Sequence, residues 1–71
     1  METVKPGVYR HFKGNLSRVL FSARHSETGE EMVVYRALYG EQDYWVRPAA
    51  MWQEAVERGG YSGPRFTWVE P

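Results

Sequence analysis

Cysteine is absent from the 71 residues. No disulfide, iron–sulfur cluster or thiolate zinc site can therefore form, which suits a reducing compartment and makes the cytoplasm the expected location. Long hydrophobic runs are missing as well. No stretch approaches the ~20 apolar residues that cross a bilayer, and Met1-Glu2-Thr3-Val4-Lys5-Pro6 lacks the apolar core of a secretion signal. A soluble, unexported chain with no membrane association is expected. Net charge is the third absence. Nine basic residues balance nine acidic ones, which removes the whole-domain electrostatic footprint of a nucleic-acid binder. A chain this short also has no room for a second core. The expectation is a flexible lead-in over 1–6 and one domain over 7–71.

What the chain has instead is aromatic mass: three Trp, five Tyr and three Phe. Each ring can bury about 150–250 Å², so a core without covalent staples must be built from them. The balanced charges are also ordered. Residues 5–24 carry Lys5, Arg10, Lys13, Arg18 and Arg24 with no acid, whereas residues 27–43 carry Glu27, Glu30, Glu31, Glu41 and Asp43 against Arg36 alone. Two such segments paired as antiparallel strands would neutralise one another.

Period-2 alternation dominates. Gly7-Val8-Tyr9-Arg10-His11-Phe12 reads as a half-buried strand, and Lys13-Gly14-Asn15 as the turn after it. Leu16 to Arg24 is a second strand whose Ser17, Val19, Phe21 and Ala23 form the plausible core face. His25-Ser26-Glu27-Thr28-Gly29-Glu30 gathers turn formers into a hairpin loop, and Glu31 to Tyr39 answers as a central strand. After Gly40-Glu41-Gln42-Asp43, a short strand Tyr44-Trp45-Val46 stops at Arg47-Pro48. From Pro48 to Arg58 the period changes: Met51 with Ala55 and Trp52 with Val56 stand at i,i+4, and Gly59-Gly60 follows as a stop, which predicts one short helix. Tyr61-Ser62-Gly63-Pro64 reads as a loop, and Arg65 to Val69 as the closing strand. The expected class is all-β: a small five-stranded barrel with one short helix before the last strand.

Five blocks carry a resemblance. Gly7 to Asn15, Ala23 to Thr28, Val34 to Gly40, Trp45 to Pro48 and Pro64 to Phe66 together look like a family of small bacterial proteins known as domain of unknown function 1653. The resemblance implies an SH3-like barrel, in line with the strand count, and brings no substrate or catalytic residue with it. Ser17 stands where the family's pattern carries an aromatic.

Candidate functional residues fall into three sets. Arg36, Arg47 and Arg65 each sit in or beside an aromatic-flanked strand, and guanidinium groups stack on rings and clamp carboxylates or phosphates, so with Trp45 and the loop residues His25, Glu27 and Thr28 they outline a ligand groove. SH3-like barrels use aromatic-lined grooves for extended ligands, so the leading expectation is a non-catalytic binding module for a protein or peptide partner. The alternative is RNA or single-stranded DNA held by Tyr9, His11, Phe12 and Lys13, a basic strand interleaved with rings. The third is a small enzyme or enzyme accessory using the His25-Thr28 loop, where an imidazole, a carboxylate and hydroxyls lie together. No metal-ligand spacing joins the two histidines, so neither a metal nor a cofactor is expected. No feature of the sequence sets the oligomeric state.

Overall fold

The computed structural model describes residues 4–71; residues 1–3, the first half of the expected lead-in, lie outside them. Seven strands and one helical turn follow in order: β1 (Gly7–His11), β2 (Leu16–Arg24), β3 (Glu31–Ala37), β4 (Tyr44–Pro48), α1 (Ala49–Trp52), β5 (Ala55–Arg58), β6 (Tyr61–Pro64) and β7 (Phe66–Glu70). Five strands make one antiparallel sheet in the order β4-β3-β2-β1-β7, and β5 pairs with β6 as a separate ribbon. The mostly-β architecture with one short helix agrees with the reading of the sequence.

Residues directly opposite in an antiparallel ladder project to the same side. The registers Tyr9↔Ser17, Ser17↔Ala37, Val19↔Tyr35, Tyr35↔Trp45 and Val33↔Arg47 therefore define an inner face. Val4, Tyr9, Val19, Val33, Ala49, Trp52 and Phe66 form the buried cluster on it. Trp52 is its centre. The indole stacks on Phe66 with centroids 3.7 Å apart, meets Tyr9 edge-on at 5.5 Å and leans on Tyr35 at 4.9 Å. Val4 is drawn into the same cluster, and the Tyr9 hydroxyl donates to the Lys5 carbonyl at 2.7 Å, so both residues are tied to β1.

Three expectations are corrected. Phe21 and Ala23 do not share a face with Val19. A bulge between Val19 and Phe21 inserts one residue against β3, which reverses the alternation beyond it. Phe21 is 51% exposed and pairs with Val34 on the outer face. The helix, in turn, stops at Trp52 instead of Arg58. The Gly59-Gly60 pair is no helix stop. It is the two-residue turn of the β5–β6 hairpin, with φ of 57° and 84° at the two glycines and Arg58 opposite Tyr61. Positive φ at both central positions is the condition of a tight hairpin whose twist matches its strands, and glycine meets it at little steric cost. The expected loop 61–64 is accordingly β6.

The expected charge neutralisation between 5–24 and 27–43 is met in register at Arg24↔Glu31, whereas Arg18 faces Arg36. Like charges directly opposite repel. Arg36 turns away, its Nε donating to the Gln42 carbonyl at 3.0 Å and its guanidinium lying 5.4 Å from the Tyr44 ring centre.

Candidate functional site

The inner face is not filled along its whole width. Where β1, β2, β3, β4 and β7 meet, His11, Ser17, Tyr35, Arg47 and Phe66, with Lys13, Asn15 and Tyr39 at the margin, surround a concavity of about 120 Å³. Ser17 is buried at its floor. An aromatic there would occupy part of this space, and the serine leaves the concavity open. A second hollow of about 270 Å³ adjoins it and is bounded by Ala37, Gly40, Glu41, Gln42, Asp43 and Trp45. Tyr35 and Tyr39 line both, so the two hollows lie side by side and together are the candidate groove.

The groove reverses charge along its length. At one end the Arg47 guanidinium lies 5.4 Å from the Phe66 ring centre, and His11 contacts the same ring edge-on at 5.0 Å. Burial lowers the His11 pKa below the ordinary imidazole value, and the nearby cations Arg47, Arg65 and Lys13 lower it further. Both effects favour the neutral ring. Its Nδ1 accepts the Lys13 backbone N–H at 3.1 Å, which leaves the proton on Nε2. Among the described residues no carboxylate lines this end. At the other end stand Glu41 and Asp43, with Trp45 beside them at 56% exposure. Among the described residues no three His, Cys, Asp or Glu side chains come together as a metal site.

Not every candidate from the sequence meets here. Arg47 and Trp45 share the groove face, and His11 and Lys13, expected in the nucleic-acid set, join them. Arg36 is on the opposite face of β3. Arg65 stays near His11 but is bound through Nη2 to Glu54 at 2.7 Å. His25, Glu27 and Thr28 are engaged within their own hairpin: His25 Nδ1 accepts the Glu27 and Thr28 backbone N–H groups at 3.1 and 3.4 Å, and Thr28 Oγ1 accepts that of Glu30 at 3.1 Å. Tyr9 is buried, and Phe12 stacks on Tyr61 at 5.6 Å. Sequence reasoning did not select Tyr39, Glu41 or Asp43. The signal available was the spacing of Tyr35 and Tyr39, four apart along one strand and turn, followed at once by two acids.

A family model described as a protein of unknown function, DUF1653, matches residues 7–68. The chain belongs to the DUF1653 family. A crystal structure of a DUF1653 protein from Bordetella bronchiseptica superposes with a TM-score of 0.88 at 40% sequence identity, covering 99% of this chain and 92% of that one. No curated protein matches. Membership of DUF1653 thus carries the fold and leaves the chemistry to the groove. No helix among the described residues is long and apolar enough to cross a membrane.

Proposed function

We propose that the protein is a non-catalytic binding module whose groove takes an extended segment of a partner protein or peptide. An acidic group of the segment sits at the His11–Arg47 end and a basic one at the Glu41–Asp43 end. The observation that carries the reading is the opposite charge of two adjoining hollows that share Tyr35 and Tyr39. Opposed charges at fixed separation set the direction and register of a bound chain, and a guanidinium already laid on Phe66 meets a carboxylate with less entropy left to lose. Size supports the same reading. The cationic end alone, about 120 Å³, has the room of a single side chain. A nucleic-acid backbone would carry its phosphates onto Glu41 and Asp43, and the rings it would stack on, Tyr9 and Phe12, are engaged inside the fold.

Selection from a displayed peptide library on the immobilised full chain tests this. Enriched peptides should pair an acidic with a basic residue at a recurring spacing, and Arg47→Ala should weaken the best of them tenfold or more, the scale of a lost charge-assisted contact. Enrichment of uncharged peptides, or equal binding by Arg47→Ala, would sink the proposal. Binding of single-stranded RNA that falls steeply with salt would move the assignment to nucleic acid instead.

A further inference from the structure

β4 is an edge strand: one flank bonds to β3, and among the described residues no strand covers the other. Edges of this kind are normally blunted by lysine, proline, a bulge or a covering element. β4 has no lysine, no bulge, and proline only at its last position. Tyr44, Trp45 and Val46 are 64, 56 and 61% exposed, in the middle of this edge. The direction of its backbone groups follows from one bond. Ala37 N–H donates to the Asp43 carbonyl, which makes that pair a hydrogen-bonded one. Alternation then turns the N–H and C=O of Trp45 and Arg47 toward β3, and those of Tyr44 and Val46 outward.

We propose that this free edge pairs antiparallel with β4 of a second copy of the chain, about a two-fold axis through Trp45. The pairing goes beyond the groove reading: its backbone bonds use the outer flank of the strand, and its charge match draws on Asp43 and Arg47, so a bound segment and a second copy compete for those two side chains. In this register Tyr44 of one copy exchanges hydrogen bonds with Val46 of the other, so every outward group of the two residues is satisfied. Trp45 meets its own copy across the axis in a non-hydrogen-bonded pair, where side chains approach most closely. Asp43 of each copy falls opposite Arg47 of the other, twice, because a two-fold axis repeats each contact. Other registers lose this match. An axis at Arg47 or at Asp43 sets like charges opposite, and one at Val46 places Tyr44 against Pro48, which has no N–H to donate. The self-complementarity of Asp43-Tyr44-Trp45-Val46-Arg47 in both charge and hydrogen bonding is what identifies the occupant as this same chain.

Sedimentation equilibrium of the full chain over roughly 5–500 μM is the test. The average mass should rise from the 8.3 kDa of one chain toward twice that value. Val46→Pro removes an outward donor without touching the bonds to β3, and Asp43→Arg sets an arginine against Arg47. Each should weaken association at least tenfold while the far-ultraviolet spectrum stays that of the parent. Asp43→Arg combined with Arg47→Asp should restore it, a rescue that a folding defect would not show. A parent that remains a single chain at the highest concentration overturns the proposal. So do Val46→Pro and Asp43→Arg variants that associate like the parent, or a folded double variant that stays as weak as Asp43→Arg alone.

Discussion

The five-stranded sheet and the β5–β6 ribbon are made from similar residues and held in different ways. In the sheet, conformation is settled by what lies across the inner face: Val19, Val33, Trp52 and Phe66 have little freedom because each fills space the others leave. In the ribbon, Ala55–Arg58 and Tyr61–Pro64 are mostly exposed, and the Gly59-Gly60 turn sets the pairing. Its root is fixed by the Arg65 N–H to the Glu54 carbonyl at 3.0 Å and by the Arg65–Glu54 ion pair. The lesson is that tertiary packing writes the sheet and local turn chemistry writes the ribbon. Mutations should separate the two.

The largest effect is expected at Trp52→Ala. Removing a buried aromatic costs about 3–5 kcal/mol, comparable to all the stability a domain of this size has, so circular dichroism should show no cooperative melt. A melt close to the parent's would mean that the sheet, like the ribbon, stands on local structure.

Next is Gly7→Ala. Gly7 has φ of 142°, and a Cβ there would come within 2.6 Å of Trp68 Nε1 and 2.7 Å of the Glu70 carbonyl oxygen. Backbone strain and overpacking together give about 2–4 kcal/mol, read as a lower denaturant midpoint. A neutral outcome would show that the β1–β7 seam yields as easily as the ribbon does.

Gly60→Ala addresses the ribbon itself. Its φ of 84° disfavours a side chain, although nothing lies within 4 Å of the added carbon. The expected loss is about 1–2 kcal/mol, confined to hydrogen exchange of β5 and β6. Equal loss of protection in β2 and β3 would merge the two regions into one cooperative unit.

The smallest effect concerns His11, which touches the sheet through Phe66 and feels the ribbon's root through Arg65. Its folded pKa is lowered, so the unfolded chain binds this proton more tightly. The stability it contributes is present above the unfolded value near 6.5 and is lost as pH falls through that value toward the folded one. A nuclear magnetic resonance titration of the imidazole should give a pKa below the unfolded value, moving up in Arg47→Ala. A pKa at or above the unfolded value would contradict both the burial and the cationic surroundings.

Much of the sheet was legible in the sequence because half-buried strands alternate. β2 runs over the residues read for it, Leu16 to Arg24, and Trp52 was recognisable as a core residue from its spacing. What was not legible has physical reasons. The bulge at Val19/Phe21 leaves the composition unchanged and shifts only the phase, which period counting cannot detect when both faces carry apolar residues. Pro48 to Arg58 satisfies a helical period by coincidence of Met51, Trp52, Ala55 and Val56, and the Gly-Gly dipeptide serves equally as a helix stop and as a hairpin turn. Of the groove, Arg47 and Trp45 lie two apart on one strand and so share a face. The presence of Lys13 and His11 beside them depends on β1 crossing the sheet by way of β2, a non-local fact that no local pattern encodes.

The bulge in β2 has a consequence for how that strand tolerates change. Its nine residues behave as two shorter strands in antiphase, one from Leu16 to Val19 with its odd positions turned inward, the other from Phe21 to Arg24 with those positions turned out. A complete substitution scan along β2 should trace a square wave of tolerance that skips a beat at Leu20: polar residues rejected at Val19, accepted at Phe21 and Ala23. Deleting Leu20 would remove the bulge and leave one unbroken ladder, with Phe21 and Ala23 still on the outer face. The groove floor at Ser17 and the hairpin beyond Arg24 are thus mechanically joined and yet free to change sequence separately.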